Sequence, residues 1–309
     1  MRVDVEDLTR LEFDDGAPVR AASAIARLGP GWLVAQDDAT HAAWWHGDSV
    51  RPVRIFPAIE GHDVFEESSG NKHLKPDLEA ACEVLVADQE SVLMLGSGSS
   101  EARMRGALTS WSSGEPEVTL ADLTPLYAAV AGALSITADE LNLEGACVIG
   151  EMVRWFHRGM PSAGLPTGSI DLDLEALVAA IRGELDPAEV VPGNALHYDL
   201  GEVGGVGLAA TDAVVLSGST SSPVLLLSAA AEDAPNPRDD GPVVGSALVV
   251  LEGSRVVASA ALPDVDGCVN KVEGLALVER SSRSARVLAT VDADDHAAPS
   301  LALHLRLDW

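Results

Sequence analysis

Short apolar segments separated by polar turns run through the whole chain, and this pattern is typical of β-strands. Five of these segments begin with an oxygen-bearing side chain and fall into one register: Ser23-Ala-Ile, Glu79-Ala-Ala, Glu144-Gly-Ala, Thr211-Asp-Ala and Glu273-Gly-Leu. Successive starts are 56, 65, 67 and 62 residues apart. A repeat of this length predicts five copies of one structural unit.

Each unit continues into a second apolar segment after a turn. These segments are Trp32-Leu-Val-Ala, Val92-Leu-Met-Leu, Met152-Val-Arg-Trp-Phe, Val224-Leu-Leu-Leu and Val287-Leu-Ala-Thr-Val. Third and fourth strands can be assigned in most units, and four antiparallel strands form the blade of a β-propeller. We therefore predict an all-β fold, a five-bladed β-propeller with four-stranded blades, as a single domain over residues 1–309.

The last unit lacks a fourth strand, because the chain ends after the segment Leu301 to Leu307. The segment Arg2 to Phe13 is the available substitute, so the N-terminal strand is predicted to pair in the last blade and close the ring. The long third unit, from 144 to about 200, leaves a sixth small blade as the alternative.

Two insertions have helical character. One is the Ala- and Leu-rich segment Leu123 to Leu134, and the other is Leu174 to Arg182, which Asp173 can cap. Neither is flanked by a linker or a shift in composition, so the sequence gives no reason to divide the chain into two domains.

The chain is strongly acidic, with 20 Lys and Arg against 48 Asp and Glu and a formal net charge of −28. This balance excludes nucleic acid as a partner, because a phosphate backbone is bound by clustered basic side chains. Lys72, Lys75 and Lys271 are the only lysines. A solvated acidic surface accounts for most of the excess charge.

Membrane insertion is not expected, because no apolar run is long enough to cross a bilayer. The first residues carry no apolar stretch of signal-peptide type, and three cysteines cannot form a closed set of disulfides. We therefore expect a cytoplasmic protein. Cys82 and Cys147 each follow a register position by three residues, which predicts equivalent small buried side chains.

The five register positions are candidate metal ligands. The innermost strand of each blade lines the axis of a propeller, so Glu79, Glu144 and Glu273 are expected to converge there. Converging carboxylates repel one another unless they bind a cation, take up protons or stay hydrated. Ca²⁺ accepts six to eight oxygen ligands and tolerates irregular geometry, so Ser23 and Thr211 would complete the shell as weaker or water-mediated ligands.

An alternative remains open for the same residues. The three glutamates would bind backbone amides or arginines and tie neighbouring blades together. Zinc is not expected, because no Cys and His cluster has ligand spacing. The glycine- and serine-rich loop Gly96 to Ser100, with Arg103 downstream, fits either a site for a small anionic molecule or a flexible turn.

Several stretches resemble the calcium-activated nucleotidases, or apyrases. They are Ser23 to Trp45 with Val34-Ala-Gln-Asp-Asp-Ala-Thr, Lys75-Pro-Asp-Leu-Glu-Ala-Ala with Val92-Leu-Met-Leu-Gly-Ser-Gly, Glu144-Gly-Ala with Arg154-Trp-Phe-His-Arg, and Lys271-Val-Glu-Gly-Leu. Bacterial proteins with esterase-like phytase domains also repeat Glu-Gly at inner strands, so the resemblance extends to a wider group of propellers.

The resemblance implies five blades, one Ca²⁺ on the axis and a ligand from each blade. The ligands would fall on Ser23, Glu79, Glu144, Thr211 and Glu273, with Thr where the family has Ser in the fourth blade. It also implies an acidic pair that activates water, Asp37 and Asp38, and basic phosphate-binding side chains that correspond to Arg103 and Arg158.

Three functions follow as hypotheses. The first is a Ca²⁺-dependent hydrolase of a phosphate ester or anhydride at the mouth of the axial channel. The second is a non-catalytic propeller in which the metal stabilises the blades and the channel mouth binds a small ligand or a protein. The third is a metal-dependent esterase or lactonase.

Overall fold

Five antiparallel sheets make up the fold in a computed structural model that describes residues 1–220, 222–234, 241–265, 267–292 and 297–309. The chain begins with β1 (Arg2–Arg10). The first blade comprises β2 (Ala22–Leu28), β3 (Gly31–Gln36), β4 (His41–His46) and β5 (Ser49–Arg54). The second comprises β6 (Leu78–Val86), β7 (Gln89–Gly96), β8 (Arg105–Ser112) and β9 (Glu115–Asp122).

The remaining three blades follow in chain order. The third comprises β10 (Leu143–Ile149), β11 (Met152–His157), β12 (Thr167–Asp173) and β13 (Gly193–Tyr198). The fourth comprises β14 (Glu202–Val203), β15 (Val206–Ser219), β16 (Ser222–Glu232), β17 (Val243–Glu252) and β18 (Arg255–Ala261). The fifth contains β19 (Val272–Arg280), β20 (Ser284–Val291) and β21 (Leu301–Asp308).

The N-terminal strand closes the ring. Strand β1 pairs antiparallel with β21, from Arg2 opposite Asp308 to Arg10 opposite Leu301, and the fifth sheet has the order β1-β21-β20-β19. The predicted pairing of the two ends of the chain is therefore confirmed. Strand β21 therefore has a partner on both sides, and β1 supplies the outer strand that the last blade would otherwise lack.

The innermost strands form a closed ring around the axis. Strand β6 lies between β2 and β10, β15 lies between β10 and β19, and β19 returns to β2. This arrangement confirms the predicted five-bladed β-propeller. The long third unit contains one four-stranded sheet, with a helix inserted between β12 and β13, rather than a sixth blade.

The two predicted helices are α1 (Thr124–Leu134) and α2 (Leu174–Ile181). Asp173 caps α2, because its side chain accepts a hydrogen bond from the Ala176 backbone N–H at 2.8 Å. Neither helix is long and apolar enough to cross a membrane. Single 3-10 turns lie in the loops at Glu67–Ser69, Lys72–Leu74, Glu101–Arg103, Pro161–Ala163 and Pro187–Glu189.

The core is divided among the five interfaces between neighbouring blades, each of which contains an apolar cluster. Both helices pack into the cluster between blades two and three, where Tyr127 and Trp155 are fully buried and meet edge to face at 5.0 Å. The fold is thus stabilised by the packing of each blade against its neighbours, because a single four-stranded sheet cannot bury both of its faces.

The inner strands approach one another closely at one level, which we call the waist and define by Ala24, Gly145, Asp212 and Gly274. A Cβ atom on Gly145 would lie 2.2 Å from the Asp212 Cα, and one on Gly274 would lie 2.7 Å from the Ala24 Cα. Asp212 is buried and accepts the Leu275 backbone N–H at 2.6 Å. The glycine of each Glu-Gly pair therefore permits close contact between inner strands.

Candidate functional site

Each inner strand carries one extra residue near its start, at the register that the sequence predicts. The pairing of the inner strand with its neighbour skips Ser23, Glu79, Thr211 and Glu273, and in β10 the irregularity falls between Glu144 and Ala146. Such β-bulges re-aim a side chain without ending the strand. In four blades the oxygen-bearing residue is thus itself the bulged residue, and in β10 the bulged residue is Gly145, directly after Glu144.

A polar cavity of about 90 Å³ lies at this end of the axis. Five basic side chains line it: Lys72, Lys75, Arg103, Arg158 and Lys271. Six carboxylates line it as well: Asp37, Asp77, Glu79, Glu144, Glu273 and Asp292. All three lysines of this acidic chain are therefore in one cavity. Its volume equals roughly three water molecules at about 30 Å³ each, enough for an ion or one small polar group.

Seven of the nine residues singled out from the sequence line this cavity: Ser23, Asp37, Glu79, Arg103, Glu144, Arg158 and Glu273. Thr211 and Asp38 do not. The Thr211 hydroxyl donates a hydrogen bond to the Val272 carbonyl at 2.6 Å, and Asp38 is buried in an ion pair with Arg20 at 2.7 Å.

The hydroxyl groups at the register positions link adjacent blades. Ser23 Oγ donates to the Leu78 carbonyl at 2.5 Å, and Leu78 directly precedes Glu79 in the next blade. Thr211 makes the equivalent bond, because Val272 directly precedes Glu273. Ser23 and Thr211 therefore share a structural role that the sequence register alone did not indicate.

A first chain of ion pairs joins blades one and two. Lys75 Nζ lies 2.6 Å from Asp37 Oδ2 and 2.5 Å from Asp77 Oδ1, and Arg103 Nη1 donates to Asp77 Oδ2 at 3.0 Å. Burial alone would raise the pKa of Asp77, but Lys75 and Arg103 bring it below its usual value. The Lys75 ammonium thus holds two carboxylates together, as a bound cation would.

A second chain of ion pairs joins blades three, four and five. Arg158 Nη1 lies 3.1 Å from Glu144 Oε1 and 3.6 Å from Glu232 Oε2. Lys271 Nζ lies 3.1 Å from the same Glu232 oxygen and 2.8 Å from Glu273 Oε1. Glu144 thus has an arginine partner, as the alternative expects, whereas the partner of Glu273 is a lysine rather than an arginine.

Glu79 differs from the other axial carboxylates. Among the residues that the structure describes, it has neither a hydrogen bond nor an ion pair, although Asp37, Asp77 and Glu79 each offer an oxygen within 4.8 Å of the others. Burial raises the pKa of Glu79 well above its usual value, and the charges of Asp77 and Asp37 raise it further.

Glu144 also has unused bonding capacity. Its Oε1 atom forms the ion pair with Arg158 and accepts a hydrogen bond from the Asn142 side-chain amide at 3.2 Å. Its buried Oε2 atom has no hydrogen-bond partner in the part of the chain that the structure covers. The side chain is only 6% exposed, and burial raises its pKa to about 7 despite Arg158 and Lys271. The cavity therefore has spare acceptor oxygens.

Glu144 should make the metal-free protein less stable as the pH rises. Its pKa in the folded protein, about 7, lies above the usual glutamate pKa of 4.5, so between these values the folded state keeps a proton that the unfolded chain has lost. Stability from this group is complete below about pH 4.5 and is lost as the pH rises through about 7. Urea unfolding in EDTA should show this decline in the wild type and a smaller one in Glu144→Gln. Parallel profiles of the two proteins would contradict the assignment.

Sequence reasoning missed Lys75, Asp77, Glu232 and Lys271 as site residues. Lys75 and Lys271 precede the register glutamates of their blades by four and two residues, respectively. The rarity of lysine in this acidic chain was the one feature of the sequence that could have identified them as site residues. Asp77 has a backbone φ of 56°, a left-handed conformation that aspartate tolerates, and nothing in the local sequence marks it.

The comparisons with known proteins concern the family and the fold. The sequence model of a family of unknown function, DUF6910, matches residues 71–296, most of the chain. The chain belongs to DUF6910. In this DUF6910 protein the matched range contains the second to fifth inner strands, while Ser23 and Asp37 lie before it. A search of the curated proteins finds no match.

Solved structures similar to this DUF6910 protein include a protein of unknown function from Dyadobacter fermentans, at 11% identity over 99% of each chain with a TM-score of 0.41. The subtype N10 neuraminidase-like protein of A/little yellow-shouldered bat/Guatemala/060/2010 is 6% identical over 100% of this chain and 99% of its own, with a TM-score of 0.39. An extracellular domain described as part of a hybrid two component system of B. thetaiotaomicron is 8% identical, with a TM-score of 0.37. The match covers 95% of this chain and 34% of that one. At these levels, similarity carries no argument about activity.

Proposed function

We propose that the polar cavity binds Ca²⁺ and that a small molecule carrying a phosphate group binds at the mouth of the cavity, where the protein hydrolyses it. The observation that carries the cation site is the convergence of Asp37, Asp77 and Glu79 within 4.8 Å, beside a buried and unpartnered Glu144 oxygen. Ca²⁺ takes oxygen ligands at about 2.3–2.6 Å, so ligand atoms around one ion lie a few ångströms apart.

The pairing within the cavity favours a cation as the first ligand. Lys75, Arg103, Arg158 and Lys271 already have carboxylate partners at 3.1 Å or less. The spare acceptors are carboxylate oxygens of Glu79 and Glu144, which a cation satisfies. The buried Arg103 Nε also has no hydrogen-bond partner among the described residues, and it suits an anion such as phosphate. Of the ligands expected from the sequence, Glu79 and Glu144 have the strongest support. The hydroxyls of Ser23 and Thr211 donate to carbonyls, and Glu273 is paired with Lys271.

A bound Ca²⁺ supplies a Lewis acid that polarises a phosphoryl oxygen. Arg103 and Arg158, which line the same cavity, would offset the negative charge that develops on the phosphoryl group. Asp37 lines the cavity and would orient the attacking water, whereas Asp38 is held by Arg20. A cation at Asp37 and Asp77 would also release Lys75, whose ammonium would then face the phosphate.

Calcium should stabilise the wild-type protein, and Glu79→Gln should weaken that effect. A ligand that binds only the folded state adds about 2.7 kcal/mol to the free energy of unfolding when its concentration is about 100 times its dissociation constant. Loss of one charged ligand should weaken calcium binding by at least about tenfold, measured by calorimetry and by thermal unfolding with Ca²⁺ and with EDTA. Glu83→Gln is the matched control, because Glu83 lies on the same strand and does not line the polar cavity. Equal calcium affinity in the two variants would exclude Glu79 as a ligand.

Hydrolysis has a separate test. Purified protein with saturating Ca²⁺ is assayed for phosphate release from nucleotides, phosphosugars and inositol phosphates, and a panel of chromogenic esters covers the esterase or lactonase alternative. The folded Glu144→Gln variant should lose turnover. No release from any phosphate compound would exclude the reaction for those substrates.

A non-catalytic role is the second candidate, and the two chains of ion pairs favour it. Together they link blade one to blade two and blades three, four and five to one another. A cation at Asp37, Asp77 and Glu79 would then stabilise the ring, and the mouth would bind a small ligand. Calcium-dependent stability without turnover on either panel is the expected result for this role.

A further inference from the structure

A second cavity opens on the axis beyond the waist, at the end opposite the polar cavity. Its volume is about 240 Å³, and all five inner strands contribute to its wall. We call it the apolar cavity and define it by Ile25–Ala26 of β2, Ala81–Glu83 of β6, Ala146–Val148 of β10, Ala213–Val215 of β15 and Leu275–Leu277 of β19. Along the inner strands, the waist residues Ala24, Gly145 and Gly274 each lie between a residue of the polar cavity and a residue of this one.

The size of this cavity follows from the repeat. The third residue after each register position is small in every blade: Ala26, Cys82, Cys147, Val214 and Ala276. No long side chain therefore extends from these positions to fill the axis. Cys82 and Cys147 are buried, as predicted, and burial raises the pKa of both thiols, so they act as small apolar groups.

The side chains of the lining are apolar apart from Glu83, and backbone groups at the free edges of the inner strands supply its other polar atoms. None of the buried side-chain polar atoms without a partner, counted over the described residues, belongs to a residue of this cavity. Its one charged residue, Glu83, is exposed and accepts the Arg27 backbone N–H at 3.2 Å. Farther along the same inner strands, Leu85 is 64% exposed and Val278 is 45% exposed, so the apolar surface continues outward.

We propose that the apolar cavity is a second binding site, which takes a small hydrocarbon or aromatic molecule of roughly ten non-hydrogen atoms. An enclosed apolar cavity of about 150 Å³ binds benzene, and this cavity is larger but opens to solvent, so a bound hydrocarbon would displace water from apolar side chains. Its concave wall, formed by all five inner strands, suits a molecule that inserts rather than a flat protein surface. The site is distinct from the proposed calcium site, because the two cavities share no lining residue.

Naphthalene is the probe, and its fluorescence is followed in a titration of the full-length protein in EDTA. We expect saturable binding of one naphthalene per chain and no binding of naphthalene-1-sulfonate, whose charge the apolar wall does not compensate. Val214→Phe, which fills the cavity from a partly exposed position, should weaken naphthalene binding at least tenfold. Ala261→Leu, an exposed position on the outer strand β18, should leave it unchanged.

Cys82→Met is the second filling variant and is used if Val214→Phe does not fold. Bound naphthalene should also slow modification of Cys82 and Cys147 by a thiol reagent without affecting the exposed Cys268. Failure of the folded wild type to bind naphthalene, or equal affinity in the filling variant and in Ala261→Leu, would overturn the proposal. Glu79→Gln should bind naphthalene normally, so failure of the calcium site and failure of this site are distinguishable.

Discussion

Gly145→Ala is expected to destabilise the protein by about 3 kcal/mol, a large effect for a single methyl group. The added Cβ would lie 2.2 Å from the Asp212 Cα and 2.9 Å from the Asp212 carbonyl carbon, so backbone rather than a flexible side chain must move. Moving β15 away from β10 also weakens the hydrogen bond that the buried Asp212 carboxylate accepts from the Ala146 backbone N–H of β10. Urea unfolding in EDTA measures the change.

Gly132→Ala is the matched control for this substitution. Gly132 lies within α1, and a Cβ atom at this position meets nothing within 4 Å. Alanine should therefore stabilise the helix by roughly 0.5–1 kcal/mol, because glycine loses more conformational freedom on folding. Equal stability of Gly145→Ala and the wild type would show that the waist is not a tight contact between strands.

The blades and their closure were predictable because they depend on local patterns that repeat. Apolar strands at similar intervals indicated five units, and a last unit with too few strands indicated that the N-terminal segment had to pair there. Two strands of blade three, β12 and β13, were not assigned. The residues of β13 are mostly exposed, and α2 separates it from β12, so neither alternation nor a short turn marks it.

The site was predictable only in part, because its pairing crosses between blades. The register led to Ser23, Glu79, Glu144 and Glu273, since a repeated bulge leaves a repeated residue type. It also selected Thr211, whose hydroxyl bonds to a carbonyl in the next blade, a partner 61 residues away that no local pattern indicates. Lys75 and Lys271 were missed for the same reason, because their carboxylate partners come from different blades as well as from their own.

The position of Lys75 connects the fold to the proposed calcium site. Its ammonium lies between Asp37 of blade one and Asp77 of blade two, with Glu79 close by. Without calcium, this internal cation reduces the repulsion among three carboxylates at the narrow end of a ring. A divalent ion at the same carboxylates would take over that role, so the two cations are expected to compete.

Lys75→Met should therefore make the stability of the protein depend on calcium. Methionine keeps a side chain of similar length and removes the charge, which leaves Asp37 and Asp77 without their shared partner. Breaking a buried ion pair from one side costs about 3–5 kcal/mol, so the variant should be strongly destabilised in EDTA. Calcium should restore most of this loss, because it binds the same oxygens without a competing ammonium. Thermal unfolding with EDTA and over a range of Ca²⁺ concentrations measures both effects.

Arg255→Met serves as the control, because Arg255 pairs with Glu252 on the surface and its side chain is 72% exposed. We expect no calcium-dependent change in this variant, since exposed ion pairs contribute little and the pair is remote from the axis. If Lys75→Met were as stable as the wild type in EDTA, the lysine would not be neutralising the carboxylates. If it were destabilised but insensitive to calcium, Asp37 and Asp77 would have a structural role and the ion would not bind there. The pair of measurements thus separates the ion-pair function of Lys75 from the proposed metal site.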